Sequence, residues 1–225
     1  MCFSAEADFV SGVVVGTVGV ATLREVRDRR ELPLAALPLA FALHQITEGF
    51  VWLGLEGKIS DSAGNTAMYG YVFYAWALLP FFAPLAVMLV EPERRRRRIM
   101  TVLVALGACV GAYLLVAVAT NPISAHIVGD SIDYRGVGDS GDLVTALYVV
   151  ATCGTWLLSS QRHVVWFGVA NLAAVALIAW NQREALTSLW CIWGAIVSML
   201  FYLQFREWRS SDTRPVREAE VAPAG

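Results

Sequence analysis

Seven apolar stretches, each near the length of a bilayer crossing, follow one another along this 225-residue chain and leave little sequence outside them. A transmembrane helix needs ~20 consecutive apolar residues. The stretches at 8–24, 32–55, 67–90, 99–120, 142–159, 163–181 and 186–205 meet or approach that length. With 57% hydrophobic and 16% charged residues, the composition lies outside that of an ordinary soluble domain. The expectation is therefore an all-α, polytopic membrane protein with seven transmembrane helices in one domain over residues 1–209. Beyond Trp208 the sequence turns polar, with Pro215 and Pro223 among Ser, Asp, Arg, Glu and Ala. Residues 210–225 carry too little apolar surface to fold alone and are expected to form a disordered tail.

Charge sets the orientation, because short cytoplasmic loops carry the excess of Lys and Arg. One side collects Arg24, Arg27, Arg29 and Arg30, the run Arg94 to Arg98, then Arg162, Arg206, Arg209, Arg214 and Arg217. The other side holds Lys58, Arg135 and Arg183. The N-terminus is expected outside and the C-terminus in the cytoplasm. Beside a membrane span, the arginine run reads as a topology determinant in contact with anionic lipid, and no nucleic-acid partner is expected. The opening residues lack the basic region of a cleavable signal, so the first helix is expected to stay in the protein. Four cysteines at positions 2, 109, 153 and 191 show no CxxC or zinc-finger spacing, which speaks against a disulfide framework.

Gly12–Gly16 and Gly107–Gly111 are of the small-xxx-small form that lets helix backbones approach closely. Contacts within one chain are the favoured reading of both pairs. Oligomeric state is left open. Pro38 in the second stretch, and Pro80 and Pro84 in the third, each remove a backbone donor and predict kinks that make room for a cavity.

His44 and Glu48 stand four residues apart in the second stretch, one turn on the same helix face. Ionisable groups in a membrane are expensive and mark function by default. Gln45 and Thr47 add polarity beside them. A protonated Glu48 bonded to His44 would instead serve only to hold the bundle in register. Trp190 and Cys191 open the seventh span at the outer face, near the depth of Glu48. His163 begins the sixth span at the opposite surface, too far to share a haem or metal with His44. If Met1 is removed, the amine and thiol of Cys2 offer a chelating pair, and thiolate and imidazole ligands suit zinc or copper. The candidate metal set is Cys2, His44, Glu48, His126 and Cys191. The outer loop from 121 to 141 carries His126, Asp130, Asp133, Tyr134 and Asp139 and reads as a solvated acidic loop, able to cover a pocket. Trp52, Tyr69, Tyr71, Tyr74 and Trp76 read as an interfacial belt, a minority of which lines the pocket. Trp52, Trp190 and Tyr134 are the candidates for holding an organic ligand.

The opening Met1-Cys2-Phe3-Ser4-Ala5-Glu6-Ala7, the element Glu48-Gly49-Phe50-Val51-Trp52 and the pair Trp190-Cys191 resemble an uncharacterised family of bacterial seven-helix integral membrane proteins that begin with MCFSA. The resemblance implies a fold and a bacterial inner-membrane location rather than an activity, and it groups Cys2, Glu48, Trp190 and Cys191 in one motif set. Better-known seven-helix families fit poorly. The sole lysine, Lys58, lies in a loop, which excludes the Schiff base of a rhodopsin, and the seventh span has no histidine for the three-histidine zinc site of membrane hydrolases.

The expected function is an outward-facing polar pocket that binds a metal ion or small ligand, in a sensor or transport-related protein. Two alternatives stand beside it. One is a membrane-embedded enzyme, metal-dependent or not, acting on a lipid or other apolar substrate, with Glu48 as acid or base and His44 as its proton partner. The other is a structural partner of a larger membrane complex.

Overall fold

A computed structural model describes residues 4–136, 142–181 and 193–211. The first stretch becomes helix α1 (Ala5–Arg24), capped by the Ser4 hydroxyl, which accepts from the Ala7 amide at 3.3 Å. The second becomes α2 (Leu32–Leu55), with Pro33 in its first turn and Pro38 inside it. α3 (Asp61–Val72), a π-helical turn (Phe73–Leu78) and α4 (Leu79–Val90) together form the third. There follow α5 (Arg94–Thr120), a β-hairpin of β1 (Ser124–Val128) and β2 (Ser131–Arg135), then α6 (Asp142–Leu157), α7 (Arg162–Asn181) and α8 (Met199–Ser211). The fold is all-α apart from the hairpin. Four of the described helical stretches are long and apolar enough to cross a membrane: 5–24, 32–55, 61–90 and 94–120. Exposed Val13, Val14, Leu43, Val102, Val116 and Leu177 place apolar side chains on the outside, as lipid contact requires. The described part of the seventh stretch is helical at 193–197 and in α8, which runs on to Ser211.

Proline chemistry explains the π turn. Pro80 has no N–H, so no α-helical bond can form from it to the carbonyl of Trp76. The Leu79 amide bonds instead to the Tyr74 carbonyl, five residues back. Ala75 then has no backbone donor in either register, because its π-register donor is Pro80 itself. The Tyr148 hydroxyl, from α6, donates to that carbonyl at 2.6 Å. Pro84 likewise withholds a donor from the Pro80 carbonyl.

Both glycine pairs pack within the chain. A Cβ on Gly12 would lie 2.6 Å from Ile46 and 3.1 Å from the Ala42 carbonyl, and one on Gly19 would lie 2.6 Å from the Leu39 nitrogen, so α1 and α2 run antiparallel in backbone contact. Gly107 and Gly111 do the same for α5. Their Cβ atoms would stand 1.8 Å from the Pro80 carbonyl oxygen and 2.3 Å from that of Ala77.

The segment expected as a solvated loop is a two-stranded antiparallel hairpin pairing Ser124 with Arg135 through Val128 with Ser131. Gly129, at φ +60°, takes the first of two loop positions, where tight hairpin turns demand a positive φ. Ala125, Ile132 and Tyr134 turn inward onto an apolar cluster with Val51, Trp52, Met68, Tyr71 and Val118. Asp133 is paired with Arg135 at 2.6 Å.

At the opposite end, buried acids hold the loops. Glu91 accepts from the Ser160 amide at 2.8 Å and the Glu93 amide at 3.2 Å, and Arg96 donates to the carbonyls of Leu158 and Ser159. Glu31 accepts from the Arg27 amide at 2.9 Å. α8 is fastened there by Arg209 to Glu25 and by His163 to Glu207. The arginine-bearing loops thus share one end of the bundle, and the hairpin roofs the other.

Candidate functional site

α2 presents His44, Gln45 and Glu48 on its buried face, with exposures of 3%, 0% and 0%. Thr47 faces away and returns its hydroxyl to the Leu43 carbonyl at 2.8 Å. From α1, the Ser11 hydroxyl donates to the Asp8 carbonyl of its own helix at 3.0 Å and stands 3.5 Å from Gln45 Oε1. Gln45 Nε2 donates to Glu48 Oε2, and the Tyr134 hydroxyl donates to Glu48 Oε1, each at 3.5 Å. A polar chain therefore joins α2 and the hairpin through one carboxyl group, with Ser11 of α1 beside it. The Tyr134 link exceeds the usual hydrogen-bond length of about 2.7–3.2 Å, so a small displacement of the hairpin tightens or parts it.

Rings close the site beside this chain. The His44 imidazole stacks on Tyr71, with centroids 3.9 Å apart and planes 13° apart, and Tyr71 stacks in turn on Tyr134 at 4.6 Å and 13°. Tyr74, from the π turn, stands 4.4 Å from His44. Of the aromatic residues expected to form an interfacial belt, Tyr71 and Tyr74 belong to the site.

Asp8 is a further acid of the region. Fully buried, it lies one turn before Gly12 on the face of α1 that meets α2. Phe9 against Gly49 and Ser11 beside Gln45 fix the register, and this puts Asp8 at the level of Glu48 to Trp52. The signal was its four-residue spacing from the glycine pair.

Residues 1–217 match a family model described as a family of unknown function, DUF6629. The chain belongs to that family. No curated protein and no solved structure matches it. The DUF6629 match takes in every described element and all three segments that carry the resemblance to the MCFSA family.

Within this DUF6629 chain, the expected site residues divide into three groups. His44, Glu48 and Tyr134 are brought together. Trp52 is buried in the adjoining apolar cluster, and its indole N–H has no hydrogen-bond partner among the described residues. His126 is exposed on β1, opposite Asp133, on the strand face turned away from that of Ala125 and Tyr134, and the fold does not carry it to Glu48. Cys2, Trp190 and Cys191 lie outside the described residues. Cys109 is exposed on α5 and Cys153 buried in α6. Among the described residues no three His, Cys, Asp or Glu side chains gather as a metal site.

Two recesses flank the hairpin end. One, of about 330 Å³, lies between Ala125 and the ends of α2 and α3, against Val51, Asp61, Asn65 and Met68. The other, of about 560 Å³, opens between Thr47, Phe50, Ser62 and Thr66. Lys58 stands at this rim, 2.8 Å from Glu56, whose hydrogen bond and charge raise the lysine above its ordinary value. The site itself groups carboxyl, amide and phenol oxygens with an imidazole, all buried, and neither recess is lined by His44, Glu48 or Tyr134. Such a set of donors and acceptors suits a cation or a small polar ligand with a hydrogen to donate.

Proposed function

We propose that this protein is a seven-span protein of the bacterial inner membrane, with its N-terminus outside and its C-terminus cytoplasmic. Its outward-facing site around Glu48 and His44 binds a metal ion or small ligand, as a sensor or transport-related component. The arginines at one end of the bundle support the orientation. The observation that carries the site is Glu48, 0% exposed, met by Gln45 from its own helix and by Tyr134 from the hairpin. An acid in an apolar helix, reached by a hydroxyl from a separate surface element, is costly as packing alone. The hairpin supplies a way in and out, since lifting β2 withdraws Tyr134 from both Glu48 and Tyr71.

Elemental analysis and native mass spectrometry of the purified protein, beside Glu48→Gln and Cys2→Ser, test this. Near-stoichiometric zinc or copper lost in both variants supports the metal form. An organic adduct lost in Glu48→Gln alone supports the small-ligand form. Folded protein carrying neither, from cells and after incubation with zinc, copper or small amines, refutes the binding reading in favour of a structural role.

A further inference from the structure

We infer that Tyr148 is a positioning residue of the His44 site: its hydroxyl, by serving the Ala75 carbonyl, fixes the π register of residues 73–78 and so seats Tyr71 and Tyr74 against His44. The inference concerns how the site is shaped and stands whether or not it binds a ligand.

Backbone donors are short at this turn. In an α-helix the Leu79 amide would serve Ala75, but it is committed to Tyr74. In a π-helix the donor would be residue 80, which is Pro80. A buried carbonyl without a donor is rare in folded proteins because it is costly, and among the described residues the donor that reaches Ala75 from another helix is Tyr148, at 2.6 Å. Pro80 leaves one carbonyl without a backbone donor in either register, Trp76 in the α form and Ala75 in the π form, and Tyr148 serves Ala75. Remove that hydroxyl, and the π form loses its advantage, leaving the Leu79 amide to return to Ala75 in the commoner α register.

Such a shift cannot fall on α4. The carbonyls of Pro80 and Ala77 are pressed onto Gly107 and Gly111 of α5, with no room for a Cβ. α3 is pinned further out, where Gly64 meets Gly54 of α2, so the change is taken up between Gly64 and Ala77, where Tyr71 and Tyr74 sit. One residue of helix is about 100° of rotation at 3.6 residues per turn. A stack with planes 13° apart and centroids 3.9 Å apart does not survive that turn. π turns recur at functional sites for this reason: they aim side chains that an α-helix would aim elsewhere.

The chain has three histidines, which makes the test direct. Histidine-labelled protein in lipid nanodiscs is followed by NMR, with ring signals assigned by His44→Gln, His126→Gln and His163→Gln. The His44 ring protons are expected upfield, under the ring currents of Tyr71 and Tyr74. Tyr148→Phe moves them to the position of an unstacked imidazole, while the His163 signals, at the far end beside Glu207, stay. In a Pro80→Ala background, where residue 80 regains an N–H, adding Tyr148→Phe moves His44 no further. Three outcomes overturn the inference: His44 unmoved by Tyr148→Phe, the same displacement in both backgrounds, or a His163 shift as large as that of His44, which marks general loosening. None of them bears on whether a ligand binds.

Discussion

Gly107→Ala is expected to destabilise the protein where helix propensity alone says the opposite. Alanine is better than glycine in a helix interior by about 0.8–1 kcal/mol, so an unobstructed site gains from the change. At Gly107 the new Cβ would lie 1.8 Å from the Pro80 oxygen and 2.8 Å from its carbon. Real contacts of this kind stay beyond 3.0 Å, so α5 must withdraw by more than an ångström from a helix that two prolines have already stiffened. Overpacking costs about 1–3 kcal/mol, and backbone rather than a flexible side chain is the obstacle, which argues for the upper end. Net of propensity, the loss is about 2 kcal/mol, or about 4–8 °C in melting temperature for a chain of this size. Gly70→Ala is the control, since its Cβ meets only Thr47, at 3.9 Å. Thermal unfolding of both variants in one detergent checks the reasoning. It is refuted if Gly107→Ala melts with, or above, Gly70→Ala.

Glu91→Ala removes the acceptor for the Ser160 and Glu93 amides and should cost about 2–3 kcal/mol, as a buried charge-assisted bond does; Glu91→Gln keeps one acceptor and should cost less, by the same unfolding assay. Gly136 has φ +129° and would place a Cβ 2.5 Å from the Pro122 carbonyl. Gly136→Ala should therefore cost about 1–3 kcal/mol, seen as faster amide exchange confined to the hairpin. Tyr134→Phe should weaken whatever species is recovered with the protein by the worth of one hydrogen bond, about 0.5–1.5 kcal/mol or roughly 2- to 13-fold, with thermal stability little changed; equal affinity would remove Tyr134 from the site.

Apolar length marks where α1, α2 and α5 lie, since each holds most of one long hydrophobic stretch, and His44 and Glu48 stand inside one of them. The hairpin reads as a loop in the sequence because acids are spaced through its segment, at Asp130, Asp133 and Asp139. Ala125, Ile132 and Tyr134 turn inward at every second place, with Gly129-Asp130 between the strands. The π turn is a different failure. Pro80 predicts a kink, but whether the freed carbonyl is met by water, by a shift of register or by Tyr148 depends on an element 68 residues further along, and no local pattern contains that choice. Asp8 does not stand out in the sequence, since an acid near the end of an apolar stretch usually sits at the interface; the antiparallel register of α1 on α2 carries it to the depth of Glu48.

The fastening of α8 to the first loop through Arg209 and Glu25 has a consequence for synthesis. The two residues are 184 apart, and Val15 shares an apolar cluster with Phe201 and Phe205. At about 5–20 residues per second, roughly 10 to 40 s separate the appearance of the first partner on the ribosome from that of the second. Through this interval α1 rests chiefly on α2 among the described elements, held by the close approach at Gly12 and Gly19. A nascent chain stopped short of Met199 leaves that flank bare in the lipid, where a quality-control protease can distinguish it from the finished protein.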